Sequence, residues 1–326
     1  NGARVNHDGR PLPPIPQFST PIMFNTPEAD AICSTLQVFP KSNAWNEDIS
    51  KRPVHPDSEK IIKNVGADTN IHVDFGMNFI LVPPNQPKID VKITSYPRES
   101  DKGPWPMPDN APIQGWPSWW EKNVPTLEEY QRVGEGDRHI ILVDPHNGML
   151  HEFFHCHKTP QGWTAACMAN WNLNSNKLRP DGWTSADAAG LPIFPGIIRY
   201  DEIQRGMVDH AVRVTVSKTR KEYIYPASHH AGHTTDKFFP AMGQRLRLKA
   251  SVPIDDLPKD ARAIALGLKK YGMIVADNGR DWDICVTIDK RHNAESLKKL
   301  HRLKGSDFEV VLTTGPNEGP RAGEAK

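Results

Sequence analysis

Residues 139–157 read HIILVDPHNGMLHEFFHCH, and this stretch decides the fold. Residues 139–143 and 149–157 are short apolar runs suited to strands, and Asp144, Pro145, His146, Asn147 and Gly148 lie between them. Asn-Gly tolerates the positive φ that a tight reversal needs, so the segment reads as a β-hairpin. Residues 164–171 add a neighbouring strand.

Working outward, strands are expected at 78–82 and 89–96, around the turn Pro83-Pro84-Asn85, and at 196–200, 211–216, 223–225 and 245–250. Further strands are expected at 273–276, 284–288 and 308–312. Residues 258–270 break the pattern, because Ala261, Ile264, Ala265 and Leu268 recur at helical spacing after Pro258. Shorter helical stretches are expected at 58–65, 127–132 and 294–303. The fold class that follows is mainly β: an antiparallel β-sandwich or jelly-roll-like core with two or three short helices. Residues 1–32 carry six prolines between Pro11 and Pro27, which predicts a proline-rich extended N-terminal arm without regular helix. Residues 33–313 then form a single β-rich domain, and 314–326 a disordered C-terminal tail.

Composition narrows the function classes. Forty Lys and Arg against 39 Asp and Glu give a formal charge of +1, and no basic stripe of the kind that neutralises phosphates is present, so no nucleic-acid partner is expected. No apolar run is long enough for a membrane span. The opening NGARVNHDGR lacks the charged-then-apolar pattern of a signal peptide, which fits a processed product. Four scattered cysteines include Cys156 and Cys167 on adjacent expected strands, where a disulfide and two buried thiols are both open readings. Thirty prolines and nine tryptophans fit a secreted or periplasmic protein that handles sugars.

The chemistry concentrates between Gly182 and Arg213, GWTSADAAGLPIFPGIIRYDEIQRGMVDHAVR. General acid–base cleavage needs two groups held at different pKa values. Asp187, Asp201 and Glu202 are the candidate carboxylates, with Asp201 and Glu202 at a strand end facing opposite ways. His210 and His229 are the candidate proton shuttles. Trp183, Ser185, Arg199 and Arg213 are candidate substrate-binding residues, and Trp119 and Trp120, in a Pro/Trp loop with Trp105 and Trp116, are candidate sugar platforms. Each has a local alternative: Asp187 suits an Asx turn, and tryptophans more often pin a loop to a core. Arg199, Arg213, Lys249 and Lys269 are the cations available to a carboxylated substrate. No cofactor is expected. If a metal is bound, its ligands are His155, His157, His229 and His233, helped by His72 and Asp74, although their spacing fits no standard site.

The runs WTSADAAGLPIFPGIIRYDEI, DHAVRVTV, YPASHHA, MGQRLRLKAS, KKYGMIVADNG and KGSDFEVV make residues 36–312 resemble a widespread family of uncharacterised secreted bacterial proteins. The resemblance implies export and a single β-rich unit, and it carries no activity. The expectation is therefore an exported carbohydrate-active enzyme that cleaves a polysaccharide by carboxylate and histidine chemistry. A non-catalytic carbohydrate or cell-surface binding protein and a His-ligated metal-dependent oxidative enzyme stand as alternatives.

Overall fold

The hairpin forms as its turn chemistry requires: residues 140–144 pair antiparallel with 149–154, from Ile140 opposite Phe153 to Asp144 opposite Met149. Asp144 Oδ1 accepts the Asn147 amide at 3.0 Å, and Gly148 takes φ 64°. These coordinates are a computed structural model that describes residues 4–118, 122–123 and 125–314. Its elements begin with β1 (Ile22–Met23), α1 (Pro27–Cys33), α2 (Ser58–Gly66), β2 (His72–Met77), β3 (Ile80–Leu81) and β4 (Val91–Ile93). They continue with α3 (Leu127–Arg132), β5 (Ile140–Asp144), β6 (Met149–Phe154), β7 (His157–Thr159), β8 (Gly162–Ala165) and β9 (Cys167–Asn172). After these come α4 (Tyr200–Arg205), β10 (Val212–Val216), β11 (Arg245–Leu248), α5 (Lys259–Lys270), β12 (Met273–Asn278), β13 (Asp283–Thr287), α6 (Ala294–Lys298) and β14 (Phe308–Val311).

The stretch expected as one β-rich domain is built from two compact units. The first takes Asn1–Lys41, Phe75–Ser175 and Thr287–Arg291, and the second Ser42–Asp74, Asn176–Val286 and His292–Lys326. The first unit holds a sheet in the order β1-β3-β5-β6-β9 and a small sheet β4-β8-β7. Its core gathers Ile80, Val82, Ile140, Leu142, Phe153 and Met168 with Trp105 and Trp163. Trp105 meets Phe153 edge-on at 5.7 Å and donates Nε1–H to Asn170 Oδ1 at 3.1 Å, so this member of the Pro/Trp loop is a core residue rather than a sugar platform. Residues 1–32 are only partly the extended arm expected. Pro27 sits in the first turn of α1, where its missing N–H costs nothing, and Thr26 Oγ1 caps the helix by accepting the Ala29 amide at 3.2 Å.

The second unit holds the sheet β14-β11-β12-β10-β13-β2. Helix α5 matches its sequence pattern: Ala261, Ile264, Ala265 and Leu268 are fully buried, and such an Ile or Leu contributes roughly 1.5–3 kcal/mol. Gly267 lets the helix approach the chain at Val208, whose carbonyl oxygen would lie 2.3 Å from an added Cβ.

The protein is sheet-rich, with 24% strand and 19% helix in three mixed sheets. The antiparallel expectation holds for β5-β6-β9 but not throughout, because β10 runs parallel to β12, β3 to β5 and β4 to β8. An apolar run identifies a strand without fixing its direction, and these partners are separated by intervening elements. Two expected strands are absent as such. Residues 196–200 give a 3-10 turn at Phe194–Gly196, a single bridge from Ile198 to Val286 and the start of α4. Residues 223–225 give one bridge, Tyr223 to Met242. The short helices number more than the two or three expected.

Candidate functional site

The segment Gly182–Arg213 is built around buried ion pairs. Ser185 Oγ donates to Leu191 O at 2.6 Å and accepts the Asp187 amide at 3.0 Å, so this loop is held by the Ser185 hydroxyl and not by an Asx turn at Asp187, whose carboxylate goes to Arg213. Gly190 closes it at φ 72°, where an added Cβ would lie 2.0 Å from Ser228 Oγ and 2.6 Å from Trp183 O. The loop presents Asp187 to Arg213 on β10: Arg213 Nε reaches Oδ2 at 2.5 Å and Nη2 reaches Oδ1 at 2.7 Å. Arg213 also donates Nη1 to Cys285 Sγ at 3.2 Å and Nη2 to Asp277 Oδ2 at 3.4 Å.

Asp201 and Glu202 lie in the first turn of α4, not at a strand end. Arg199 Nε contacts Asp201 Oδ1 at 3.0 Å and its Nη2 contacts Glu202 Oε1 at 3.0 Å. Arg205 Nη1 lies 2.5 Å from Asp201 Oδ2. Glu202 Oε2 accepts the Arg199 amide at 2.9 Å, a capping arrangement that starts the helix, and Gly206 ends it at φ 93°. His210 Nε2 lies 2.9 Å from Glu202 Oε1, and its Nδ1 donates to Ala211 O at 2.7 Å. Burial opposes the charged forms of Asp201, Glu202 and His210. Arg199 and Arg205 nevertheless hold Asp201 below its usual range, and Arg199 and His210 do the same for Glu202. Glu202 in turn holds the His210 imidazolium above its usual range, against burial.

With Asp187 and Glu202 each 1% exposed and clamped by arginine, the expected carboxylate set is a scaffold rather than an open acid–base pair. The sequence located the polar residues but not their burial. His229 is half-buried, donates Nδ1–H to Ala188 O at 2.7 Å and stacks on His230 at 5.7 Å. Trp183 lies beneath the Arg179 guanidinium at 5.5 Å. Lys249 and Lys269 donate to the carbonyls of Ser306 and Val252 at 2.8 and 2.6 Å. Trp119 and Trp120 lie outside the described residues.

The metal candidates do not assemble. His155 and His157 meet edge-on at 4.9 Å and donate to Gly136 O and Gly134 O. His229 and His233 belong to the other unit. Among the described residues no group of three or more His, Cys, Asp or Glu is placed to hold a metal ion. The open disulfide question also resolves, since Cys33, Cys156, Cys167 and Cys285 are all free and buried.

A second set of acids lies beside this scaffold. On β2 and β13 polar residues alternate with buried apolar ones, His72 and Asp74 around Val73, and Asp283 and Cys285 around Ile284. Alternation places each polar pair on one face of its strand. Register across β10, which aligns Thr215 with Asp283, continues the row to Arg213. His72 Nδ1 donates to Asp283 Oδ1 at 2.7 Å, and both side chains keep solvent access, at 27% and 19%. Burial and the nearby Asp283 carboxylate push the Asp74 carboxyl above its usual range, outweighing His72 and Arg213. Asp74, Asp283, His72 and Asp277 are thus half-buried, and the Arg213–Asp187 pair is buried beside them. This group is separate from a cavity of about 280 Å³ between α2 and β14, lined by Val54, Ile62, Lys249 and Phe308. The alternation in IHVDFG and DWDICV was the signal that marks these residues in the sequence. No protein-family profile, curated protein or solved structure matches the chain.

Proposed function

We propose that the chain cleaves glycosidic bonds of a polysaccharide, using Asp74 and Asp283 in place of the carboxylates expected from the sequence. The observation that supports this reading is one carboxyl whose pKa is raised by burial and a neighbouring carboxylate beside another braced by a histidine. Paired acids whose surroundings push them apart take the acid and base roles. Asp74 delivers a proton to the departing glycosidic oxygen. Asp283, oriented by the His72 N–H, stabilises or attacks the sugar carbon directly or through water. Arg213 fixes Asp277 at the edge of the same face and keeps the sheet from shifting beneath the acids.

The test is release of reducing ends from a panel of polysaccharides by the full chain, with Asp74→Asn and Asp283→Asn as variants. Activity in the parent that falls at least about a hundredfold in each folded variant is the expected result. Folded variants that keep parental activity overturn the reading, and so does a parent that cleaves nothing on the panel.

A further inference from the structure

The rim of this face carries one arginine, Arg280, whose charge no described acid neutralises. Three acids of the site are already engaged, Asp283 with His72 and Asp187 and Asp277 with Arg213, while Asp74 makes no ion pair with any described residue. Asp281, next along the turn, accepts from the Ser217 amide and hydroxyl at 2.6 and 2.9 Å. Arg280 stands in the turn between β12 and β13. Its carbonyl accepts the Thr215 hydroxyl at 2.7 Å, which anchors its backbone, while the residue is exposed and its guanidinium makes no ion pair with any described residue.

His301 approaches from the other side. Its ring lies 5.8 Å from the His72 ring, tilted by 31°, and Asn70 Nδ2 holds its carbonyl at 2.5 Å. Burial and the positive neighbours His72, Arg280 and Lys298 together disfavour its imidazolium. Of these neighbours Lys298 has an acidic partner, Glu295 at 2.9 Å. Arg280 and His301 therefore lie close enough at this edge for the Arg280 charge to act on the His301 ring, and an anion held between them offsets that repulsion. The Arg280 guanidinium offers the planar fork that matches a carboxylate with two parallel hydrogen bonds.

We propose that Arg280 and His301 form a carboxylate-recognising subsite beside Asp74 and Asp283, so that the glycan bound there carries uronic acid residues. This rests on the reading of Asp74 and Asp283 given above. Arg280 and His301 are positioning residues for substrate and take no part in bond cleavage.

The experiment uses the full chain with oligogalacturonate, alginate oligomers and glucuronoxylan oligomers, each paired with its carboxyl-reduced counterpart, in binding and turnover assays. Binding of at least one carboxylated oligomer is expected, weakened roughly tenfold or more by reduction of its carboxyl groups, by Arg280→Ala or by His301→Ala. Arg280→Lys, which keeps charge but loses the fork, recovers part of the affinity, and kcat stays within about threefold of the parent for both alanine variants. Equal binding of carboxylated and reduced oligomers, binding of none, or alanine variants with parental affinity overturns the subsite. Cleavage of neutral glycans with unaffected alanine variants refutes the subsite alone. Binding of the carboxylated oligomers without cleavage refutes the enzymatic reading and leaves the subsite standing.

Discussion

Arg213 grips Asp187 through two parallel contacts, Nε to Oδ2 at 2.5 Å and Nη2 to Oδ1 at 2.7 Å, with the two residues only 4% and 1% exposed. The pair joins the 183–191 loop to the middle of the second unit's sheet.

Removing one partner of this pair strands a buried charge. Arg213→Ala and Asp187→Asn are each expected to destabilise the second unit by about 3–5 kcal/mol, read as an earlier midpoint in urea. Because Arg213 also holds Asp277 and Cys285, the arginine variant is the more damaging of the two. A midpoint unchanged in both would show that the pair is dispensable.

Asp74 yields a prediction of opposite sign for stability and activity. Its carboxyl pKa is raised in the fold, so above both the folded and unfolded values ionisation costs stability. Asp74→Asn removes that cost. The variant is expected to melt at a higher temperature than the parent at pH 7, while its cleavage rate falls at least about a hundredfold. Differential scanning calorimetry and reducing-end assays on the same preparation check both arms.

The His210–Glu202 pair sets a pH window. His210 is raised in the fold, so its contribution is complete below the unfolded histidine pKa and is lost as pH rises through the higher folded value. Glu202 is lowered, so its contribution is present above the unfolded glutamate pKa and is lost as pH falls through the lower folded value. Stability from this pair is therefore greatest between the ordinary glutamate and histidine ranges. His210→Gln is expected to flatten the alkaline slope of Tm against pH, and an unchanged slope would exclude the pair as its source.

The thiols are expected to be silent in the native protein. All four are buried and free, and burial pushes the Cys285 thiol up to about 12 despite Arg213 beside it, leaving almost no thiolate to react near neutral pH. Ellman's reagent is expected to titrate none of them in buffer and all of them in guanidinium chloride. Fast labelling of native protein would refute this.

Local patterns were legible in the sequence where they were complete within a few residues. The Asn147-Gly148 reversal and the spacing of Ala261, Ile264, Ala265 and Leu268 each specify an element without outside help. Helix α4 was not legible, because its six residues are too short to show a period and Ile197 and Ile198 before it resemble a strand. Its signals were Gly206 in the left-handed region and Glu202 three residues after Arg199. The site divided in the same way. Polar density marked Asp187, Arg199, Asp201, Glu202, His210 and Arg213, but side chains that point inward to pair with one another have the same composition as side chains that open to a cleft. The sequence did not single out Asp283, and it offered Asp74, with His72, only as an auxiliary metal ligand, because their strands lie far apart in the chain and the sheet order that places β2 beside β13 is a tertiary fact.

The interleaving of the two units governs how the chain matures during synthesis. The first unit includes Thr287–Arg291 and the second begins at Ser42, so neither unit is complete until residues 287–291 have been made. The first unit therefore cannot finish folding before most of the second has also been made. A nascent chain stalled before Thr287 would hold two unfinished cores at once.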